Sequence, residues 1–75
     1  MKEKHKDQFK TIATNLRRIR DRKGFSQQDV ANRCDIDRAK ISRIENAAED
    51  FMFSTLIELA SALEVNIDDF LREDS

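Results

Sequence analysis

The stretch SQQDVANRCDIDRAKISRIEN, residues 26–46, holds two short helical patterns with only a few residues between them. Ser26 is a good N-cap because its hydroxyl can accept from a first-turn N–H, and Asp29 completes a capping-box-like pattern. Over Gln27 to Cys34, the residues Val30, Ala31 and Cys34 share one face. Asp37 is a second cap, and the run Arg38 to Asn46 turns Ile41 and Ile44 inward. Arg38, Ala39, Lys40, Ser42 and Arg43 are left outward, so this second rod has an apolar back and a basic, hydrogen-bonding front. A helix fits the major groove of B-DNA, where arginine pairs bidentately with guanine O6 and N7. The pattern is a helix-turn-helix with the chemistry of a duplex-DNA reader.

Upstream, Phe9 to Lys23 reads as the first helix, with Phe9, Ile12, Ala13, Leu16 and Ile19 at spacings of three and four. Arg20 falls near that apolar stripe, and an unpaired buried charge is costly. Glu45, the acid near the inward side of the second short helix, is its candidate partner; snorkelling to solvent is the alternative. Gly24 can take the left-handed conformation that closes a helix, letting Phe25 fold back onto the core. Cys34 reads as a small buried hydrophobe. Asp35 at the corner is a candidate for positive φ, which Asp tolerates better than most residues.

Downstream, Ala47 to Met52 reads as a loop. Were its carboxylates Glu49 and Asp50 to lie near DNA, like charge would drive them to the rim; Phe51 and Phe53 are expected to tuck into the core, with one of them available for a partner. Ser54 is the expected cap of a helix whose stripe is Leu56, Ile57, Leu59, Ala60 and Leu63. Val65 and Ile67 close the core, and Asp68 starts a short last helix with Phe70 and Leu71. That final apolar turn is either a lid on the core, half of a dimer interface, or both. The division is thus 1–8, a basic N-terminal lead-in, either an arm or the first turn of the first helix; 9–71, the helix-turn-helix domain; and 72–75, an acidic end.

Seventy-five residues make one domain, marginal unless well packed or paired with a second copy. No proline and one glycine favour helices with tight connections over sheet. The formal net charge of −1 hides an uneven split. Residues 1–44 carry thirteen Lys and Arg against six acids, and residues 45–75 carry Arg72 alone against nine. The basic half contains the candidate reading head. A single cysteine and a lone His5 leave no disulfide and no metal site, and nothing in the chain calls for a cofactor. There is no nucleophile–base pair or phosphate-binding glycine loop, so an enzyme is not expected. No apolar run is long enough to span a membrane and no secretory signal opens the chain, so a reducing cytosol is the expected compartment.

Several of these features in register resemble the Cro/CI-type helix-turn-helix domain, or XRE family, of phage and bacterial regulators. They are Ser26-Gln27, Val30-Ala31, Ile41-Ser42-Arg43-Ile44-Glu45, and LASALEV with Asp69-Phe70-Leu71 beyond it. The resemblance runs from about Ile12 to Leu71 and implies an all-α, compact five-helix domain that binds palindromic operators as a homodimer. It places Arg38, Ala39, Ser42 and Arg43 at base-facing positions and Gln27 and Asn46 at phosphate-binding ones; Lys40 reads as a phosphate contact from its position alone. It also makes Arg20 and Glu45 a structural ion pair. Two positions depart from the family pattern, Asp35 and Ala47, where glycine is common, and the loop behind Ala47 is acidic where a basic one is usual.

The expectation is therefore a small stand-alone transcription regulator, similar to restriction–modification controller proteins and phage-like repressors. The alternatives are an antitoxin-type component that masks a toxin as well as binding double-stranded DNA, and a protein-binding adaptor that has lost DNA binding. A heterologous partner around Phe51, Phe53 and the acidic end distinguishes the antitoxin.

Overall fold

The computed structural model describes residues 5–73, so the reading of the first lysines as an arm, and the last two residues of the acidic end, lie outside the described residues. Five helices follow in order: α1 Lys6–Arg22, α2 Gln27–Ala31, α3 Arg38–Glu45, α4 Phe53–Leu63 and α5 Asp68–Leu71. Among the described residues there is no strand.

α1 begins at Lys6, earlier than the apolar stripe suggests, and Lys6 to Gln8 form its first turn. No side chain caps that end, so the sequence carries no start signal there; Asp7 in the first turn suits the positive end of the helix dipole. The stripe buries Ile12, Ala13, Leu16 and Ile19, and with them Asn15. At the other end Phe25 N–H donates to Arg20 C=O and Gly24 N–H to Asp21 C=O, with Gly24 at φ 76°. This is a Schellman closure, which needs one left-handed residue.

The same closure recurs twice without glycine. After α3, Ala48 N–H reaches Arg43 C=O and Ala47 N–H reaches Ile44 C=O, with Ala47 at φ 54°. After α4, Val65 N–H reaches Ala60 C=O and Glu64 N–H reaches Ser61 C=O, with Glu64 at φ 59°. Asp35 is not among the residues with positive φ, contrary to the expectation at that corner. The corner is turned instead by tightening. α2 stops at Ala31, and Arg33 and Cys34 donate to carbonyls three residues back, at Val30 and Ala31.

α4 starts at Phe53 behind an N-cap at Met52 that makes no side-chain bond, so Ser54 lies inside the first turn and is not the cap. Ile57, expected in its stripe, is exposed; Ala62 takes that place, buried beside Leu56, Leu59, Ala60 and Leu63. Phe51 is half-buried with its ring edge-on to Phe9 at 5.2 Å, whereas Phe53 stands in solvent. Leu16, Val30, Ile41, Ile44, Leu59, Leu63 and Phe70 form the fully buried centre. Phe70 is thus the lid on the core, and its neighbour Leu71 faces out. Asn15 locks that lid: its side-chain amide donates to Phe70 C=O at 2.7 Å and Arg72 C=O at 2.8 Å.

Candidate nucleic-acid interface

α3 is rigidly mounted. Asp37 accepts from Lys40 N–H at 2.7 Å to cap its start, and Ile41 and Ile44 anchor its back in the core. This leaves Arg38, Ala39 and Arg43 exposed and Lys40 and Ser42 half-exposed on one side, with Asn46 exposed at the end. α2, which packs against α3, is held by a complete capping box: Asp29 N–H donates to Ser26 Oγ and Ser26 N–H to Asp29 Oδ2. Hydrogen bonds to the Asp29 carboxylate, from the Ser26 backbone N–H first and the Ser26 hydroxyl second, hold it below the usual carboxylate range.

Behind this front a polar network joins three helices. Arg20 Nε donates to Glu45 Oε2 at 2.6 Å and Arg20 Nη2 to Glu45 Oε1 at 3.0 Å, a bidentate pair. The side chains are only 11% and 3% exposed. Arg20 Nη1 also donates to Phe25 C=O at 2.8 Å, which ties the pair to the Gly24 turn. The hydrogen bond to Glu45 raises the Arg20 pKa and outweighs the opposing effect of burial. Gln27 Nε2 donates to the same Glu45 at 3.0 Å, and Gln27 Oε1 accepts a long contact from Arg38 Nη1 at 3.5 Å. The amide read as a phosphate hand is therefore engaged on the protein side. No buried side-chain nitrogen or oxygen among the described residues lacks a partner.

Glu49 lies against the candidate contact surface. Its Oε2 accepts from Lys40 Nζ at 2.7 Å and its Oε1 from Arg43 Nε at 2.6 Å, so it bridges two of the candidate contact residues. The bond to Lys40 first, then that to Arg43, holds its carboxyl below the usual range. Sequence reasoning missed this contact, and no periodicity announces it, since it depends on which way the chain leaves Ala47. It also missed Asn15, which did leave a signal: an amide three residues after Ile12 and four before Ile19, inside the apolar stripe. Arg33 was missed too; it donates to Ala62 C=O and lies 4.7 Å over the Phe25 ring. Cys34 Sγ donates to Val30 C=O and burial pushes its thiol pKa up, away from reactivity.

Among the described residues no helix is long and apolar enough to cross a membrane, and no group of three or more His, Cys, Asp or Glu is placed to hold a metal.

Comparison with known proteins points the same way. The family HTH_3, described as helix-turn-helix, matches residues 16–70. A Neisseria hypothetical transcription factor, from Neisseria meningitidis serogroup B, is 35% identical over 54 residues, which is 72% of this chain and 51% of that protein. The chain thus spans about half the length of that curated relative. The restriction-modification controller protein C.AhdI from Aeromonas hydrophila superposes with a TM-score of 0.83 over 88% of this chain and 96% of its own, at 24% identity, a likeness of fold. The controller protein C.Esp1396I, solved as a tetramer in complex with its natural 35 base-pair operator, gives a TM-score of 0.74 at 26% identity, covering 85% of this chain and 95% of that one.

Proposed function

The chain belongs to the HTH_3 helix-turn-helix family, and from that premise we propose that it regulates transcription by sequence-specific binding of double-stranded DNA, as a homodimer on a two-fold symmetric operator. The observation that carries this reading is the front of α3, where Arg38, Ala39 and Arg43 stand exposed on a helix whose back is fixed in the core. Arg38 and Arg43 read base edges, with Ala39 and Ser42 completing the surface against the groove floor. Asn46 and the N-terminal end of α2 at Gln27 meet phosphates, while Lys40, on the phosphate side of the surface, is held by Glu49. The Arg20–Glu45 pair supports this surface from behind and does not touch DNA. The operator complex of C.Esp1396I, a protein of the same fold, supports the reading by analogy.

Selection of bound sequences from a random duplex library at fixed moderate salt tests it. A two-fold symmetric site should be enriched, and Arg43→Ala should lose about 1–3 kcal/mol of discrimination at one base pair of each half-site. Enrichment of nothing, with binding that only follows salt, rejects it.

One observation admits a second reading. Met52 and Phe53 are 70% and 64% exposed, side by side, with Ile57 one turn on. In the homodimer reading a second copy covers them; in an antitoxin-type protein a toxin partner does. Co-purification of a stoichiometric second protein whose removal leaves a monomer would favour the latter.

A further inference from the structure

Phosphate and carboxylate are the same kind of partner for a cation, each an oxyanion taking charge-assisted hydrogen bonds. A duplex approaching α3 therefore meets two cations, Lys40 and Arg43, that Glu49 already holds. The loop is built to keep Glu49 there. On one side the Ala47 closure reverses the chain, with Ala48 N–H bonded to Arg43 C=O at 2.9 Å. On the other, Phe51 is pinned edge-on against Phe9. Glu49 lies between these two anchors and is only 30% exposed.

The two cations are held differently. Lys40 is a point charge, so a carboxylate on Nζ competes directly with a phosphate. Arg43 meets Glu49 through Nε alone. Its two terminal nitrogens are outside that contact, and a guanidinium fork needs only two N–H donors for guanine O6 and N7.

We propose that Glu49 is a specificity-determining residue of the DNA interface: its carboxylate withdraws Lys40 from the phosphate backbone and buttresses Arg43 through Nε. Sequence-independent affinity is lowered more than operator affinity, and the ratio between them rises. The inference rests on the DNA-reading function proposed above.

The test uses the full chain, the selected operator and a scrambled duplex of equal length and composition, with affinity measured across a salt series by fluorescence anisotropy. The proteins are wild type, Glu49→Gln, Lys40→Gln and the double variant, all conservative in size. Glu49→Gln should bind scrambled DNA about three- to tenfold tighter, with a log K against log salt slope steeper by about 1, as for one more neutralised phosphate. Its ratio of operator to scrambled affinity should fall. Lys40→Gln alone should leave the scrambled slope nearly unchanged, yet abolish the gain in the Glu49→Gln background. That non-additivity separates a carboxylate holding Lys40 from the plain removal of one negative charge near DNA.

Equal tightening on both duplexes, or additive effects of the two substitutions, overturns the inference while the DNA-reading function stands. A wild-type protein that does not distinguish the duplexes overturns both.

Discussion

Ala47 carries a left-handed backbone at φ 54° with a side chain that such a conformation disfavours. Ala47→Gly should therefore stabilise the fold by about 0.5–1 kcal/mol, the relief of strain being partly offset by the larger freedom of glycine in the unfolded chain. The urea midpoint should rise with the slope of the transition unchanged; no rise would mean the turn is unstrained. Asn15 makes the opposite case. Its amide satisfies the carbonyls of Phe70 and Arg72 at the close of α5, so Asn15→Ala should cost about 1–3 kcal/mol. The same denaturation series measures it, and amide exchange in α5 should quicken first. Glu45→Gln leaves Arg20, only 11% exposed along its side chain, without its carboxylate, at an expected cost of about 3 kcal/mol.

At the scale of helices, α2 is five residues long and depends on its capping box. The folded pKa of Asp29 is depressed, so its contribution is present above the ordinary carboxylate range and is lost as pH falls through the lower folded value. Wild type should be more stable than Asp29→Asn at neutral pH, and the two should converge on acidification; a gap that persists in strong acid would rule out this titration as the cause. Capping chemistry of this kind is what the sequence made legible. Ser26, Asp29, Asp37 and Gly24 act through neighbours within a few positions, so residue type alone announces them. Where that chemistry was absent, the sequence was silent or misleading. α1 opens without a side-chain cap, and Ser54, a good cap by type, is one residue inside a helix capped at Met52. Ile57 shows the limit of periodicity, since several apolar faces compete in a short helix and packing against α2 and the core selects one. Glu49 was illegible for a different reason. Its contact with Lys40 and Arg43 follows from the exit direction at Ala47, a backbone choice that alanine does not advertise.

For the molecule as a whole, the front of α3 and the Arg20–Glu45 pair behind it come from residues that the sequence placed together, whereas the place of Gln27 in that network was not foreseen and the exposed Met52–Phe53–Ile57 patch only half so. If a second copy covers that patch, the thermal midpoint should climb with protein concentration, and Phe53→Ser should remove the dependence without lowering the midpoint of the dilute protein. Sedimentation at matched concentrations gives an independent measure. A concentration-independent midpoint would reject a second copy as its cover. The uneven charge of the chain predicts in addition that affinity falls steeply with salt despite a net charge of −1.

The Gln27 amide lies between Glu45 and Arg38, its nitrogen turned to one and its oxygen to the other. A carboxylate there would face Glu45, and an ammonium would face Arg38. Few side chains can therefore serve both neighbours at once. Under the proposed DNA-reading function, position 27 is answerable to the ion pair behind it as well as to the DNA in front. Its freedom to change is narrower than that of Arg43 on α3, whose partner on the protein side, Glu49, lies in a loop.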